Sequence, residues 1–221
     1  MPTRAEAPPV GVLGGTFDPI HYGHLRLAED AREALGLARV LFVPCGIPPH
    51  RGNPTACASD RLEMARLAIA GNPFFALEDS EATAGAPSYT VVTLERLRAR
   101  FGTALPLVVL LGTDAFAGLA GWHRWREVLS LAQVGLAKRP GRPFDVAELP
   151  PELAGEVLAR RSPRLPEGAA AGSIVEFATA ALDISASRIR ACLAREASVR
   201  YLLPDSVLDY IGRHRLYRNE P

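Results

Sequence analysis

The stretch "LPLVVLLGTD" constrains this chain more than any other. From Leu107 to Leu111 every residue is apolar, with no polar alternation. A strand of that kind has both faces buried, and helices packed on the two sides of a parallel sheet are the usual cover. Two further runs share the pattern. Val10 to Leu13 is apolar and ends in Gly14-Gly15, and "ARVLFVPC" (Ala38 to Cys45) is a second buried strand.

Helical patterns separate these runs. From about Gly23 to Leu35, the residues Leu25, Ala28, Ala31 and Leu35 recur on one face, and Gly36 suits the position after the helix. Asp60 with Glu63 reads as a capping box opening a helix to about Ala70. "PSYTVVTLERLRARFG" predicts a helix from about Ser88, stopped by Gly102, and another spans about Trp125 to Leu131. "FFALEDSEA" (Phe74 to Ala82) alternates as a strand does. "AQVGLAKRPG" and "SIVEFATAALDIS" supply two more strands, and "SASRIRACLAR" and "LPDSVLDYIGRH" the last two helices.

This alternation predicts an α/β fold, a doubly wound, Rossmann-like parallel sheet with C-terminal helices and right-handed crossovers. In such sheets ligands bind at the carboxyl ends of the strands, where the chain order reverses. The unusual residues stand at those ends: Gly14-Gly15, Pro48-Pro49-His50, Gly112-Thr113-Asp114, and Ser185 to Arg190. A length of 221 residues suits one domain, 1–221. Residues 1–8 read as a flexible lead-in. Residues 141–172, rich in Pro, Arg, Ala and Gly, read as an irregular excursion within the domain. No internal repeat is visible.

A formal net charge of +1 carries no global basic field, which argues against a nucleic acid polymer as partner. A nucleotide needs only a local cluster of donors. Three widely spaced cysteines, Cys45, Cys57 and Cys192, are not a disulfide framework and fit a reducing cytoplasm. Cys45, His50 and Cys57 lack a matching fourth ligand, so no protein metal site is expected. No signal peptide and no run of membrane-span length is visible, and a cytoplasmic location with no membrane partner is expected.

"GGTFDPIHYGHL" (Gly14 to Leu25) carries the chemistry. Adjacent glycines permit a tight turn and close approach of a ligand to backbone N–H groups. The helix beginning near His21 to His24 has unpaired N–H groups and the positive end of its dipole there, a ready site for phosphate. Histidines three apart lie on one side of a helix, about 4.5 Å apart along its axis. Gly23 between them removes a side chain that would block a polyphosphate, and two imidazoles can then donate to phosphate oxygens. The string is neither a G-x-G-x-x-G fingerprint nor a P-loop. An isolated His-x-x-His would more often be two surface histidines on a capping turn; the whole string is far more specific.

"GGTFDPIHYGH" resembles the first signature of the nucleotidyltransferases that transfer adenylyl or cytidylyl groups, and "ISASRIR" (Ile184 to Arg190) resembles their second. "PPH", "PSYTVVTL", "GTDAF", "WHRW", "KRPG" and "LLPDSVLDYIGRHRLY" narrow the resemblance to bacterial nicotinate-nucleotide adenylyltransferases, over about residues 10 to 218. Four positions depart from the pattern. Ala186 stands where a hydroxyl residue is common, Ser187 where threonine is usual, Val92 where aspartate is common, and Arg51 where lysine is common.

The resemblance implies a reaction: ATP and nicotinate mononucleotide give deamido-NAD and pyrophosphate by in-line attack, without a covalent enzyme intermediate. It implies that His21, His24 and Arg190 are catalytic. The ATP site would comprise Gly14, Gly15, Thr16, Phe17, His21, His24, Asp114, Ser185, Ser187 and Arg190, with Asp114 on the adenosine ribose. The mononucleotide would meet Thr90, Trp122 and His123, with Trp122 stacked on the pyridinium ring and Trp125 in the core. Mg²⁺ would arrive with ATP. Asp18, before Pro19, fixes the turn rather than acting as a base. Ser185 has an alternative role as a helix cap, Asp114 as a cap of the next helix, and Arg190 as a surface charge. Alternatives are an enzyme for nicotinamide mononucleotide or another small acceptor, and a non-catalytic nucleotide-binding regulator. A homo-oligomer is left open.

Overall fold

The computed structural model describes residues 7–49, 52–138, 144–180 and 182–218. The expectations placed on His50, Arg51, most of "KRPG" and the first residues of the chain lie outside these. Seven parallel strands form one sheet in the order β3-β2-β1-β4-β5-β7-β6. They are β1 (Val10–Gly15), β2 (Arg39–Pro44), β3 (Phe75–Leu77), β4 (Leu107–Gly112), β5 (Gln133–Lys138), β6 (Arg161–Ser162) and β7 (Ile174–Ala178). The order reverses between β1 and β4, which pair with Val10 opposite Leu107 and Val12 opposite Val109. Leu107 to Leu111 are all buried, as their unbroken apolar run requires.

Eight α-helices lie among the described residues: α1 (Tyr22–Leu35), α2 (Ala58–Ile69), α3 (Thr90–Phe101), α4 (Thr113–Ala117), α5 (Trp125–Leu131), α6 (Pro151–Arg160), α7 (Ala186–Ala194) and α8 (Asp205–Arg213). None is long and apolar enough to cross a membrane.

Two compact units can be distinguished. The first comprises 1–13, 28–40 and 89–180, and the second 14–27, 41–88 and 181–221. In the first, Gly11 and Gly135 lie where backbone and side chains crowd. A Cβ on Gly11 would sit 2.8 Å from Leu37 Cδ1, and one on Gly135 2.9 Å from Leu35 Cδ1. Arg98 of α3 is buried and ties this unit's loops, donating to the carbonyls of Leu131, Gly102, Thr103, Leu105 and Ala170. In the second unit, α2 and α8 pack together, and Tyr210 donates to Asp60 Oδ1 at 2.9 Å.

Four local expectations need correction. Residues 141–172 are not irregular throughout. α6 forms there because Pro151 suits a first helical turn and Leu153 and Val157, four apart, are both buried. Asp60 is not a helix cap: α2 begins earlier, after Cys57. Asp60 instead accepts from Tyr210 and from Cys57 Sγ, and Glu63 pairs with Arg66. The strand expected over 74–82 stops at Leu77, because the chain then turns, with Thr83 donating through N and Oγ1 to Asp79 O. α3 starts at Thr90 and not Ser88, whose hydroxyl accepts from Gly46 N at 2.9 Å.

Candidate active site

In the second unit, the turn after Gly14-Gly15 is locked by packing and hydrogen bonds. Gly15 O accepts from Cys45 N, and a Cβ on Gly15 would fall 2.8 Å from the Phe17 ring. Nothing lies within 4 Å of a Cβ built on Gly14, so the backbone there is open to a ligand. Phe17 adopts φ +50°, a left-handed conformation that costs a non-glycine residue free energy. Its buried ring offsets that cost, packing edge-on against His24 and tilted against Phe42.

His21 precedes the first turn of α1, and its carbonyl accepts from His24 N at 2.9 Å and Leu25 N at 3.3 Å. Its own N–H donates to His24 Nδ1 at 3.2 Å, and the two rings stack with centroids 3.7 Å apart. Burial lowers the His21 pKa to about 4. His24 is also held well below the ordinary imidazole value, first by burial and then by the neighbouring His21. Both rings are therefore neutral near pH 7. Because His24 Nδ1 accepts, its proton sits on Nε2, which makes that atom a donor. Gly23 has a tighter reason than room for a ligand: a Cβ there would press on the His21 ring at 3.0 Å.

α7 supplies the second part of the same unit. Ser185 caps it, its Oγ accepting from Arg188 N at 3.3 Å, so the structural alternative for Ser185 holds. Ser187 and Arg190 follow on the helix, Ser187 exposed and Arg190 half-buried. Arg190 Nη1 donates to the main-chain carbonyl of Asp18 at 2.6 Å, which brings Arg190 to the histidine turn. Arg190 is thus not simply a surface charge.

Asp18 is 4% exposed and fixes the turn, as its place before Pro19 suggested. Its carboxylate accepts from Thr55 N at 2.8 Å, Ala56 N at 3.1 Å and Tyr217 OH at 2.7 Å. Arg61 is a supporting residue that sequence reasoning missed. At 1% exposure, its guanidinium donates to the carbonyls of Ala56, Thr16, Cys45 and Gly46. The available signal was its register: Arg61, Met64, Ala65 and Ile69 share the buried face of α2.

The first unit carries Asp114, Thr90, Trp122 and His123. Asp114 lies exposed in the first turn of α4. Thr90 is the first residue of α3, whose N-cap Tyr89 makes no side-chain cap hydrogen bond, and the leading N–H groups of a helix have no partner within it. The Tyr89 and His123 rings lie 4.6 Å apart, which brings the start of α3 to the Trp122-His123 turn. Arg124 follows with φ +52° and pairs with Glu95 and Glu127. Trp122 is half-buried, while Trp125 is buried as expected.

A strand end, a histidine pair at a helix start and an arginine from a second helix start define a nucleotidyltransferase arrangement. In agreement, a family model described as cytidylyltransferase-like matches residues 12–192. A Dechloromonas aromatica protein named "Probable nicotinate-nucleotide adenylyltransferase" is 57% identical over 213 residues, covering 96% of this chain and 98% of its own. A Marinobacter nauticus protein of the same name is 45% identical over 210 residues, covering 95% and 97%. The chain belongs to the nicotinate-nucleotide adenylyltransferase family. The solved structure of Plasmodium falciparum nicotinic acid mononucleotide adenylyltransferase complexed with NaAD shares the fold, at TM-score 0.72, 17% identity, and 96% and 98% coverage.

Proposed function

We propose that this chain transfers the adenylyl group of ATP to nicotinate mononucleotide, giving deamido-NAD and pyrophosphate, a step of NAD biosynthesis. An oxygen of the mononucleotide's 5′-phosphate attacks the α-phosphorus, and the bond to the β-phosphate bridging oxygen breaks. No protein nucleophile is needed, so positioning and charge stabilisation carry the rate. The near-full-length family match supports reading residues 1–221 as one nucleotidyltransferase domain.

The observation that carries the proposal is the neutral, stacked His21–His24 pair at the start of α1, with Arg190 held to the same turn. His24 Nε2 donates to the α-phosphate, and His21 lies against the phosphate chain. The exposed backbone at Gly14 and Gly15, with Thr16 and Phe17, receives the nucleotide. Ser187 and Arg190 grip the outer phosphates and the departing pyrophosphate, and Asp114 meets the adenosine ribose. Trp122 stacks on the pyridinium ring, and backbone donors near Thr90 and His123 receive the carboxylate. Among the described residues no group of three His, Cys, Asp or Glu side chains could hold a metal ion. Mg²⁺ would enter with ATP, held on phosphate oxygens and water.

Pyrophosphate release measured with ATP and each pyridine mononucleotide in turn tests the assignment. Release dependent on nicotinate mononucleotide is expected; no release with either mononucleotide would overturn it.

A further inference from the structure

Asp18 is where four separate pieces of the second unit converge. The turn carrying the histidines contributes Asp18 itself. The segment before α2 contributes the N–H groups of Thr55 and Ala56, α7 contributes Arg190, and the chain after α8 contributes Tyr217. Tyr217 comes from 199 residues away along the chain to place its hydroxyl 2.7 Å from Asp18 Oδ1. It is itself buried, and its backbone stands at φ +62°. That conformation costs a non-glycine residue free energy, so the packing around the phenol over-determines it.

The two ends of Asp18 do different things. Its carboxylate is occupied by the three donors, and its main-chain carbonyl accepts from Arg190 Nη1 at 2.6 Å. The same Nη1 lies 3.7 Å from Asp18 Oδ2, at the edge of ion-pair range. Among the described residues Arg190 Nη2 has only a long 3.5 Å contact, to Ser187 Oγ, so one edge of the guanidinium is held and the other is presented. An arginine side chain loses rotamer freedom when it grips phosphate. A residue that already fixes one edge removes part of that cost and sets the direction of the other.

We propose that Tyr217 is a positioning residue for adenylyl transfer, acting through Asp18 to aim Arg190. Burial first, then the hydrogen bond to Asp18, pushes the Tyr217 phenol far above its ordinary range, so it remains a donor throughout the working pH. Without the hydroxyl, Asp18 keeps its two backbone donors from Thr55 and Ala56, so the turn persists but swings more freely, and Arg190 follows it. The proposal rests on the assignment of Arg190 to the outer phosphates.

The test is a double-mutant cycle of Tyr217→Phe and Arg190→Lys, with kcat and both KM values measured below each variant's own melting midpoint. Tyr217→Phe alone is expected to lower kcat about tenfold, change the KM for nicotinate mononucleotide less than twofold, and weaken inhibition by pyrophosphate. In the Arg190→Lys background, the same change should lower kcat less than threefold, because the group it aims is gone. An equal tenfold loss in both backgrounds, or no loss in either, would overturn the proposal. Wild-type kinetics and pyrophosphate inhibition for Arg190→Lys alone would instead sink the phosphate role of Arg190.

Discussion

The main-chain N–H of His21 donates to Nδ1 of His24 at 3.2 Å, and the two imidazoles stack at 3.7 Å. The bond selects one tautomer of His24 and leaves Nε2 as the donor. A neutral donor aimed where charge develops is worth most in a site that excludes water. His24→Ala is therefore expected to fold and to lose about 10²–10³ in kcat. Turnover near the wild-type rate, in a variant whose circular dichroism is native, would refute the role.

The same burial makes stability depend on pH. Folded His21 titrates near pH 4 and the unfolded chain's histidine near its ordinary 6.5, so between these values the unfolded state binds more protons. Stability then rises with pH across this window. It is fully present above about pH 6.5 and is lost as pH falls towards 4. The melting temperature is expected to fall by several degrees between pH 7.5 and 5, and by less in His21→Asn. Equal falls in the two proteins would show that His21 does not carry the effect.

Much of this site was legible in the sequence because its parts are local. Gly14-Gly15, the two histidines and Asp18 fall within one stretch, and a spacing of three puts both histidines on one side of a helix start, to which the structure adds the ring stacking and the Nδ1 acceptor. Ser185 as a cap and Arg190 on the same helix are equally local. What was not legible is what crosses the chain. The Asp18–Tyr217 bond joins residues 199 apart, and no periodicity marks it. Arg61 was hidden because an arginine in a helix is usually a solvated charge, and its register with Met64, Ala65 and Ile69 on α2 was the one signal, which went unread. α6 was hidden because the composition of residues 141–172 spoke for loop, while two apolar side chains four apart decided for helix.

Arg61 leads to a stability prediction. Its guanidinium serves four carbonyls, those of Ala56, Thr16, Cys45 and Gly46, with no carboxylate involved among the described residues. Arg61→Met keeps the stem but leaves these acceptors short of donors, at about 3 kcal/mol in total or more. For a chain of this size that is roughly a 10 °C fall in melting temperature. Lysine should not rescue it, because one ammonium cannot span the fork's four acceptors. An unchanged melting temperature for Arg61→Met would contradict the reading of this network.

Arg190→Ala should weaken ATP and pyrophosphate more than nicotinate mononucleotide, because its presented edge is assigned to the outer phosphates. Losing a hydrogen bond between charged groups costs about 1.5–3 kcal/mol, or roughly ten- to hundredfold in affinity. Calorimetric titration of each substrate reads this directly. Equal weakening of ATP and mononucleotide would remove Arg190 from the outer phosphates.

Substrate choice turns on one group, a carboxylate in nicotinate mononucleotide and a carboxamide in nicotinamide mononucleotide. The stacking proposed for Trp122 is open to both and cannot discriminate strongly. Discrimination must come from what meets that group. α3 begins at Thr90 without a side-chain cap, and the Tyr89–His123 ring contact brings the Trp122-His123 turn to the same place. Backbone N–H donors there favour an anion and leave the amide's own donors facing donors. A hydrogen bond to a charged group contributes about 1.5–3 kcal/mol, roughly ten- to hundredfold in preference. The acid is therefore expected to exceed the amide at least tenfold in kcat/KM. Trp122→Ala should raise KM for both mononucleotides while leaving most of their ratio intact. Measuring kcat/KM for both substrates on wild type and variant tests each half. Equal use of acid and amide by the wild type would sink the nicotinate assignment, and a ratio that collapsed in Trp122→Ala would move the discrimination from the backbone donors to the ring.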